Sequence, residues 1–368
     1  MLCSRTSLLV VCLVSSVTVP VAAQAPQASP QTPRTGRQVY EAACAACHGS
    51  DGRAGTAAAS DYPIVPPDFT DCSFATREPD GDWLAVSHQG GPTRGFDRLM
   101  PAFGEALSVE ELARSITYIR EFCTSDAWPR GELNLPRALV TTKAYPEDEA
   151  VLTVIADEGS VTNKFVYERR IGPRNQYEII VPLAFSERAP GDWTGGVGDL
   201  AFAFKRAFYH SLPRGNIFSG AIELVVPTGS TERGIGGGTT VVEPFVAFGQ
   251  ILPADGFLQF QVGGAVPFDR DHHDEAFWRA VIGRSFTQGQ WGRTWSPMVE
   301  MLGARELGAG ATTHWDVVPQ MQVTLNTRQH VMLNAGVRIP VNERDGRPTQ
   351  GMVYVLWDWF DGGFLAGW

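Results

Sequence analysis

Over much of its length this chain alternates apolar and polar residues, and each alternation is sustained for about ten residues. "GFLQFQVGGAV" sets Leu258, Phe260 and Val262 on one side and Gln259, Gln261 and Gly263 on the other. "HVMLNAGVRI" opposes Val331, Leu333, Ala335, Val337 and Ile339 to Met332, Asn334, Gly336 and Arg338. Successive side chains of a strand point to opposite faces, so each run is a strand with two unlike sides. About twelve such segments recur, near 138–146, 160–170, 175–185, 197–209, 216–227, 240–253, 257–267, 275–286, 293–302, 315–325, 329–341 and 350–360.

Two architectures satisfy this pattern. A soluble sandwich turns its apolar face inward, whereas a membrane barrel turns it outward. Strand length favours the barrel, because about 10 tilted residues cross the hydrocarbon layer while ordinary strands have about 5–6. The connections agree. "PADG", "TQGQWG" and "NTRQ" are short, and between them lie the longer, polar "TGSTERGIGGGT", "DRDHHDE", "GARELGAGATT" and "NERDGRPTQ". Short and long connections alternate in outer-membrane barrels as periplasmic turns and extracellular loops. Trp295, Trp315, Trp357 and Trp359 suit interfacial girdles, and the chain closes on an aromatic, Trp368. The expected fold is therefore a small all-α domain followed by an antiparallel transmembrane β-barrel of about 12 strands, spanning residues 138–368.

A polar lumen needs inward-facing charge, and Glu178, Asp199, Lys205, Glu223, Glu300 and Arg338 are the candidates. A water-filled channel and a plugged barrel would both use them. In "DRDHHDE", Asp269, Asp271, His272, His273, Asp274 and Glu275 could collect a divalent cation such as Fe²⁺, although a solvated polar loop accounts for them as well.

The first residues read as an export signal. Arg5 precedes the apolar "SLLVVCLVSSVTV", and "VAAQA" offers cleavage after Ala23 or Ala25, which makes 1–25 a signal peptide. Cys3 and Cys12 leave with it. Of the remaining four cysteines, Cys44 and Cys47 belong to one motif, and Cys72 and Cys123 are left as a pair in an oxidising compartment. A disulfide between these two is expected, with two buried thiols as the alternative.

That motif is "CAACH", Cys44 to His48. C-x-x-C-H is the pattern of c-type haem attachment. Two thiols three positions apart at a helix can each form a thioether to a haem vinyl group, and His48 then lies under the iron. Structural zinc would need a second ligand pair, and a thioredoxin-type site a βαβ unit; neither follows. Upstream, "TGRQVYEAAC" reads as a helix with Gly36 and Tyr40 on one face. Downstream, Met100 sits in the Pro-stiffened "RGFDRLMPAFGEAL", where its thioether can reach the sixth iron position and raise the reduction potential. "SVEELARSITYIREFC" closes the region as a helix, with Ser108 and Glu111 forming a capping box and Leu112, Ile116 and Ile119 on one face.

Residues 34–124 thus resemble a class I cytochrome c domain in the order of helix, motif, "PPDFTD", methionine loop and closing helix. The resemblance implies one covalently attached haem c, anchored by Cys44 and Cys47 and ligated by His48 and Met100. Residues 125–137 read as a linker. Beyond it, "GVGDLAFAFKRAF" and "FSGAIELVVPTGS" resemble the barrel transporters associated with phenol-degradation pathways. The layout is similar to that of outer-membrane cytochrome–porin fusions. A domain of about 90 residues has a radius of gyration near 12 Å, too wide for a small lumen, so it should cap the periplasmic mouth.

The net charge of −10 argues against nucleic-acid binding. No catalytic triad, paired-carboxylate site or phosphate loop stands out, and the glycines of "GIGGG" lack a following helix. The expected role is electron transfer rather than catalysis, at the periplasmic face of the outer membrane. Periplasmic redox proteins and outer-membrane lipid are the expected partners, and a small molecule or metal ion such as Fe(II) a possible external donor. Two further readings stay open: an outer-membrane channel with a redox-sensing or docking cytochrome, and a soluble periplasmic cytochrome with a β-sandwich.

Overall fold

The computed structural model describes residues 32–54, 64–359 and 364. The expected signal segment, with Cys3 and Cys12, and the terminal Trp368 lie outside them.

The N-terminal helices form where their caps allow. Helix α1 (Gly36–Ala43) starts at a capping box between Thr35 and Gln38, which satisfies amides that a helix end would leave orphaned. The short α2 (Ala45–His48) follows almost without interruption. After α3 (Cys72–Ala75) and α4 (Asp80–Gln89), α5 (Val109–Arg120) begins at the expected Ser108–Glu111 capping box. Helices α1 and α5 cross at Gly36. A Cβ there would stand 2.0 Å from the Arg114 carbonyl oxygen, so only glycine lets the helices approach this closely. The crossing buries Val39 against Leu107 and Leu112, and Tyr40 against Phe69 and Ile119. A disulfide between Cys72 and Cys123 ties α3 to the chain leaving α5.

The C-terminal region is a closed antiparallel sheet. Its strands are β1 (Glu149–Ala156), β2 (Ser160–Ile171), β3 (Asn175–Ala189), β4 in two pieces (Asp192–Val197 and Leu200–Ser211), β5 (Asn216–Val226), β6 (Val241–Leu252), β7 (Gly256–Pro267), β8 in two pieces (Glu275–Arg284 and Phe286–Thr287), β9 (Thr294–Glu306), β10 (His314–Thr324), β11 (Val331–Pro340) and β12 (Gln350–Asp358). Fourteen segments make twelve strands because two strands are interrupted. Each pairs with its neighbours in sequence, and β1 pairs with β12 from Glu149↔Asp358 to Ala156↔Gly351, which closes the ring.

The two faces of this ring decide between sandwich and barrel. Phe202, Phe204, Phe260, Val262, Ile282 and Met301 are exposed on its outside. Between them Lys205, Gln259, Gln261, Glu300, Gln320 and Asn334 are buried inside. A closed sheet that is apolar outside and polar inside satisfies every backbone group internally, and such a sheet can cross a bilayer. No helix among the described residues is long and apolar enough to do so. The protein is a closed β-barrel with an apolar outer face and a polar interior. Trp295, Trp357 and Trp359 mark the end carrying the chain termini of the sheet, whereas Trp315, in edge contact with Trp278, marks the other.

Eleven of the expected strands form near their expected positions. The twelfth does not: residues 138–146 carry no strand, and the sheet begins at Glu149. Instead, the chain from Gly131 to Asp148 runs buried through the lumen. Its amides cannot join the closed ladder, so inward-facing side chains satisfy them. Gln320 Oε1 accepts from the Leu139 amide at 2.9 Å. Glu300 accepts from the amides of Val140 and Thr141, and Gln261 from that of Thr142. Donors on the wall meet the segment's carbonyls: Gln259 to Pro136, Asn334 and Tyr354 to Arg137, Arg279 to Val140, and Lys205 to Lys143. Leu133, Leu135, Ala138, Leu139 and Tyr145 fill apolar gaps between these bonds. The lumen is plugged by its own chain.

Of the six expected lumen charges, Glu300 and Lys205 hold the plug directly, and Arg338 pairs with Asp316. Glu178 lies across the sheet from Glu168, and Glu223 from Glu243. Asp199 differs: its carboxylate accepts from the amides of Gly229 and Gly237 and so anchors the outer loop between β5 and β6.

The helical domain docks on the plugged end. Arg77 pairs with buried Asp148, His330 Nε2 meets Glu78 at 2.6 Å, and the Gly131 amide donates to the Thr76 carbonyl. A Cβ on Gly131 would stand 1.9 Å from the Arg77 carbonyl oxygen, so the chain can pass from helical domain to plug here only as glycine. The helical domain thus caps one mouth of the barrel, as expected.

Candidate haem-binding site

Helix α1 delivers Cys44 to the start of α2, and one further turn brings Cys47 and His48 onto the same short helix. Cys44 and Cys47 form no disulfide, whereas Cys72 and Cys123 are joined in one. Burial pushes the Cys44 thiol up, and its contact with the Ser115 hydroxyl, 4.0 Å away on α5, acts against that. The chain leaves α2 through Gly49, whose carbonyl accepts from the Tyr40 hydroxyl at 2.6 Å, and the His48 carbonyl accepts from the Ala54 amide. The motif is thereby bonded at both ends to the helical core.

The His48 ring stacks on Phe69 at 4.7 Å between centroids, and Phe69 in turn meets Trp83 of α4 at 5.4 Å. Burial pushes the imidazole pKa down to about 4, because the charged form loses hydration. The ring is therefore neutral at physiological pH, the form that offers a metal a lone pair. Its buried Nδ1 has no hydrogen-bond partner among the described residues.

Met100 is half-buried in a loop that returns to α4. Its carbonyl accepts from the Gly91 amide at 2.9 Å, and its own amide donates to the Asp97 carbonyl. Beyond it, the amides of Phe103 and Gly104 donate to the carbonyls of Ser87 and His88 at the end of α4. Helix α4 is thus the shared support: Trp83 backs the histidine's stacking partner, and the helix end holds the methionine loop. Two thiols, a neutral imidazole and a thioether in one small domain fit the donor set of a c-type haem.

The six outer-loop residues do not converge. His272 Nδ1 lies 2.7 Å from Asp269 Oδ1, which also accepts from the amides of Asp271 and His272, and the loop is closed on itself. The one convergence of three such groups among the described residues is Glu147, Glu149 and Asp358, buried at the plugged end. Lys143 Nζ, 2.5 Å from Glu147 and 3.1 Å from Glu149, already stands where a cation would sit.

Sequence reasoning missed the plug. Its signal was the stretch from 129 to 146, which carries Pro129, Pro136 and Pro146 and breaks the alternation of the later strands. It also missed the residues that hold the methionine loop from the barrel side, which lie about 200 positions away in the chain and have no local signature.

Residues 31–119 match the family described as cytochrome c oxidase, cbb3-type, subunit III. The helical region is a cytochrome c domain, here fused to a barrel. No curated protein matches the chain. Among solved structures, the chain is similar to an outer membrane channel from Pseudomonas putida F1, at 12% identity over 61% of this chain and 98% of that one, with a TM-score of 0.42. It is similar to the KdgM porin at 10% identity, over 57% and 98% of the two chains, with a TM-score of 0.38. The NanC porin, at 6% identity and the same coverage, gives 0.41. The barrel itself is established by its own strand pairing.

Proposed function

We propose that this protein is a monohaem c-type cytochrome that transfers electrons at the periplasmic face of the outer membrane, with the barrel as its membrane tether. Cys44 and Cys47 would hold the haem by thioethers, and His48 and Met100 would take the two axial positions. Bound there, the haem supplies a one-electron couple. His48 enters the site neutral and oriented by Phe69, so ligation needs no proton to be removed first. With both axial positions filled by protein, no position is left for substrate, which favours electron transfer over catalysis. Trp83 and Phe69 shield the histidine side from water.

One observation carries this reading over a small-molecule channel: the lumen is filled by residues 131–148, bonded to the wall along their length. A filled lumen supports exchange with periplasmic redox proteins rather than flux of solutes past the haem. The test uses membranes from cells competent in haem attachment. Membrane-bound, low-spin haem that survives acid–acetone extraction and is rapidly oxidised or reduced by a soluble c-type cytochrome is expected. Colourless protein, or haem inert to soluble redox proteins, would overturn the proposal. Reduction in intact cells by an impermeant donor would add an outward partner.

A further inference from the structure

The methionine loop has little core of its own. Residues 95–99 are exposed, Phe96 to 40% and Leu99 to 42%. Within the loop, a 3₁₀ turn at Gly91–Arg94 and the bonds from Phe96 to Gly91 and from Gly91 to Met100 set the shape. Besides the end of α4, the barrel holds it in place. Arg94 is buried to 5% exposure and joins three elements: its Nε donates to Asp82 of α4 at 2.7 Å, and its Nη1 to the Trp291 carbonyl on the β8–β9 turn at 2.9 Å. The Trp291 ring packs on His88, 5.3 Å away, at the end of α4. From the β10–β11 turn, Arg328 donates to the carbonyls of Arg94 and Gly95 and lies 4.6 Å above the Phe96 ring. The two turns are themselves joined by Gln329, which bonds Gly292 and Thr294.

We infer that these two periplasmic turns clamp the methionine loop and set how firmly the Met100 sulfur holds the haem iron, with Arg328 and Trp291 as the positioning residues. The inference rests on the proposal that Met100 is an axial ligand. Its physical basis is entropic: a loop fixed from outside presents the thioether ready placed, whereas a loosened loop must be ordered each time the bond forms. The consequence is a reduction potential that depends on the barrel, since a methionine ligand raises the potential and a labile one raises it less.

The experiment is imidazole binding to the oxidised full-length holoprotein in detergent, read from the haem spectrum, with the midpoint potential measured on the same samples. Imidazole must displace the methionine, so its affinity reports the methionine's hold. Arg328→Ala, which removes the side chain's bonds to the Arg94 and Gly95 carbonyls, is expected to tighten imidazole binding about tenfold, the equivalent of one such hydrogen bond. Trp291→Ala, which removes the ring against His88 but keeps the carbonyl that Arg94 meets, is expected to tighten it by less; both should lower the midpoint. Arg328→Lys should recover part of both changes. Arg77→Ala, which loosens the docking elsewhere, should leave both readouts unmoved. Unchanged binding and midpoint in both clamp variants would overturn the inference, as would an equal shift in Arg77→Ala. Met100→Ala keeps the two ideas apart: if it fails to tighten imidazole binding, the ligand assignment itself falls.

Discussion

Glu300 on the inner wall of the barrel accepts two hydrogen bonds from Thr141 of the plug, one from the amide at 2.8 Å and one from the hydroxyl at 2.6 Å. Its other oxygen accepts from the Val140 amide and from Gln320. One buried carboxylate therefore satisfies the backbone of a segment that has no strand partner.

Removing that acceptor should loosen the plug. Glu300→Ala leaves buried donors on Val140, Thr141 and Gln320 unpaired, at about 1–3 kcal/mol each. In planar bilayers the unaltered protein is expected to be nearly silent and Glu300→Ala to show frequent openings. Glu300→Gln, which keeps an acceptor, should fall between them. Equal conductance in all three would mean that the plug is not held by this contact.

Haem attachment divides the motif by role. Cys44→Ser with Cys47→Ser should abolish haem that resists extraction, while the barrel still assembles, because its strands close on their own ladder. Met100→Ala should keep the covalent haem but change its spectrum and lower its midpoint. Haem staining of denaturing gels and a redox titration are sufficient to check both.

The crossing of α1 and α5 leaves no room for a side chain at Gly36. Gly36→Ala should destabilise the helical domain by about 1–3 kcal/mol, the usual range for overpacking. Chemical denaturation followed through the haem absorbance should show a lower midpoint with the barrel's own transition unchanged.

The disulfide closes a loop of 51 residues between Cys72 and Cys123. In the chain-entropy account its removal costs about 4 kcal/mol, so Cys72→Ser with Cys123→Ser should leave the domain sensitive to proteolysis. An unaltered digestion pattern would show that docking on the barrel, through Arg77 and Glu78, holds the domain instead.

Much of this architecture is written locally. The alternation of Phe260 with Gln259 and Gln261 states that a strand has two unlike faces, and the Ser108–Glu111 pair states where a helix starts. Cys44, Cys47 and His48 are adjacent, so their joint chemistry needs no fold to bring them together. Which face of the sheet meets lipid was not local. Phe260 on the outside and Gln259 on the inside became fixed only when β1 paired with β12 and closed the ring.

The sequence alone determined the haem motif, the paired cysteines and eleven of the strands, because each depends on residues within a few positions of one another. Tertiary structure decided what fills the lumen and what holds the methionine loop. Residues 138–146 include the β-branched Val140, Thr141 and Thr142 without the alternation of the later strands, and a closed ladder has no edge left to take them, so their amides turn to Glu300, Gln320 and Gln261. Arg328 meets Gly95 across more than two hundred residues of intervening chain, a contact that only the closure of the barrel beneath the helical domain can create.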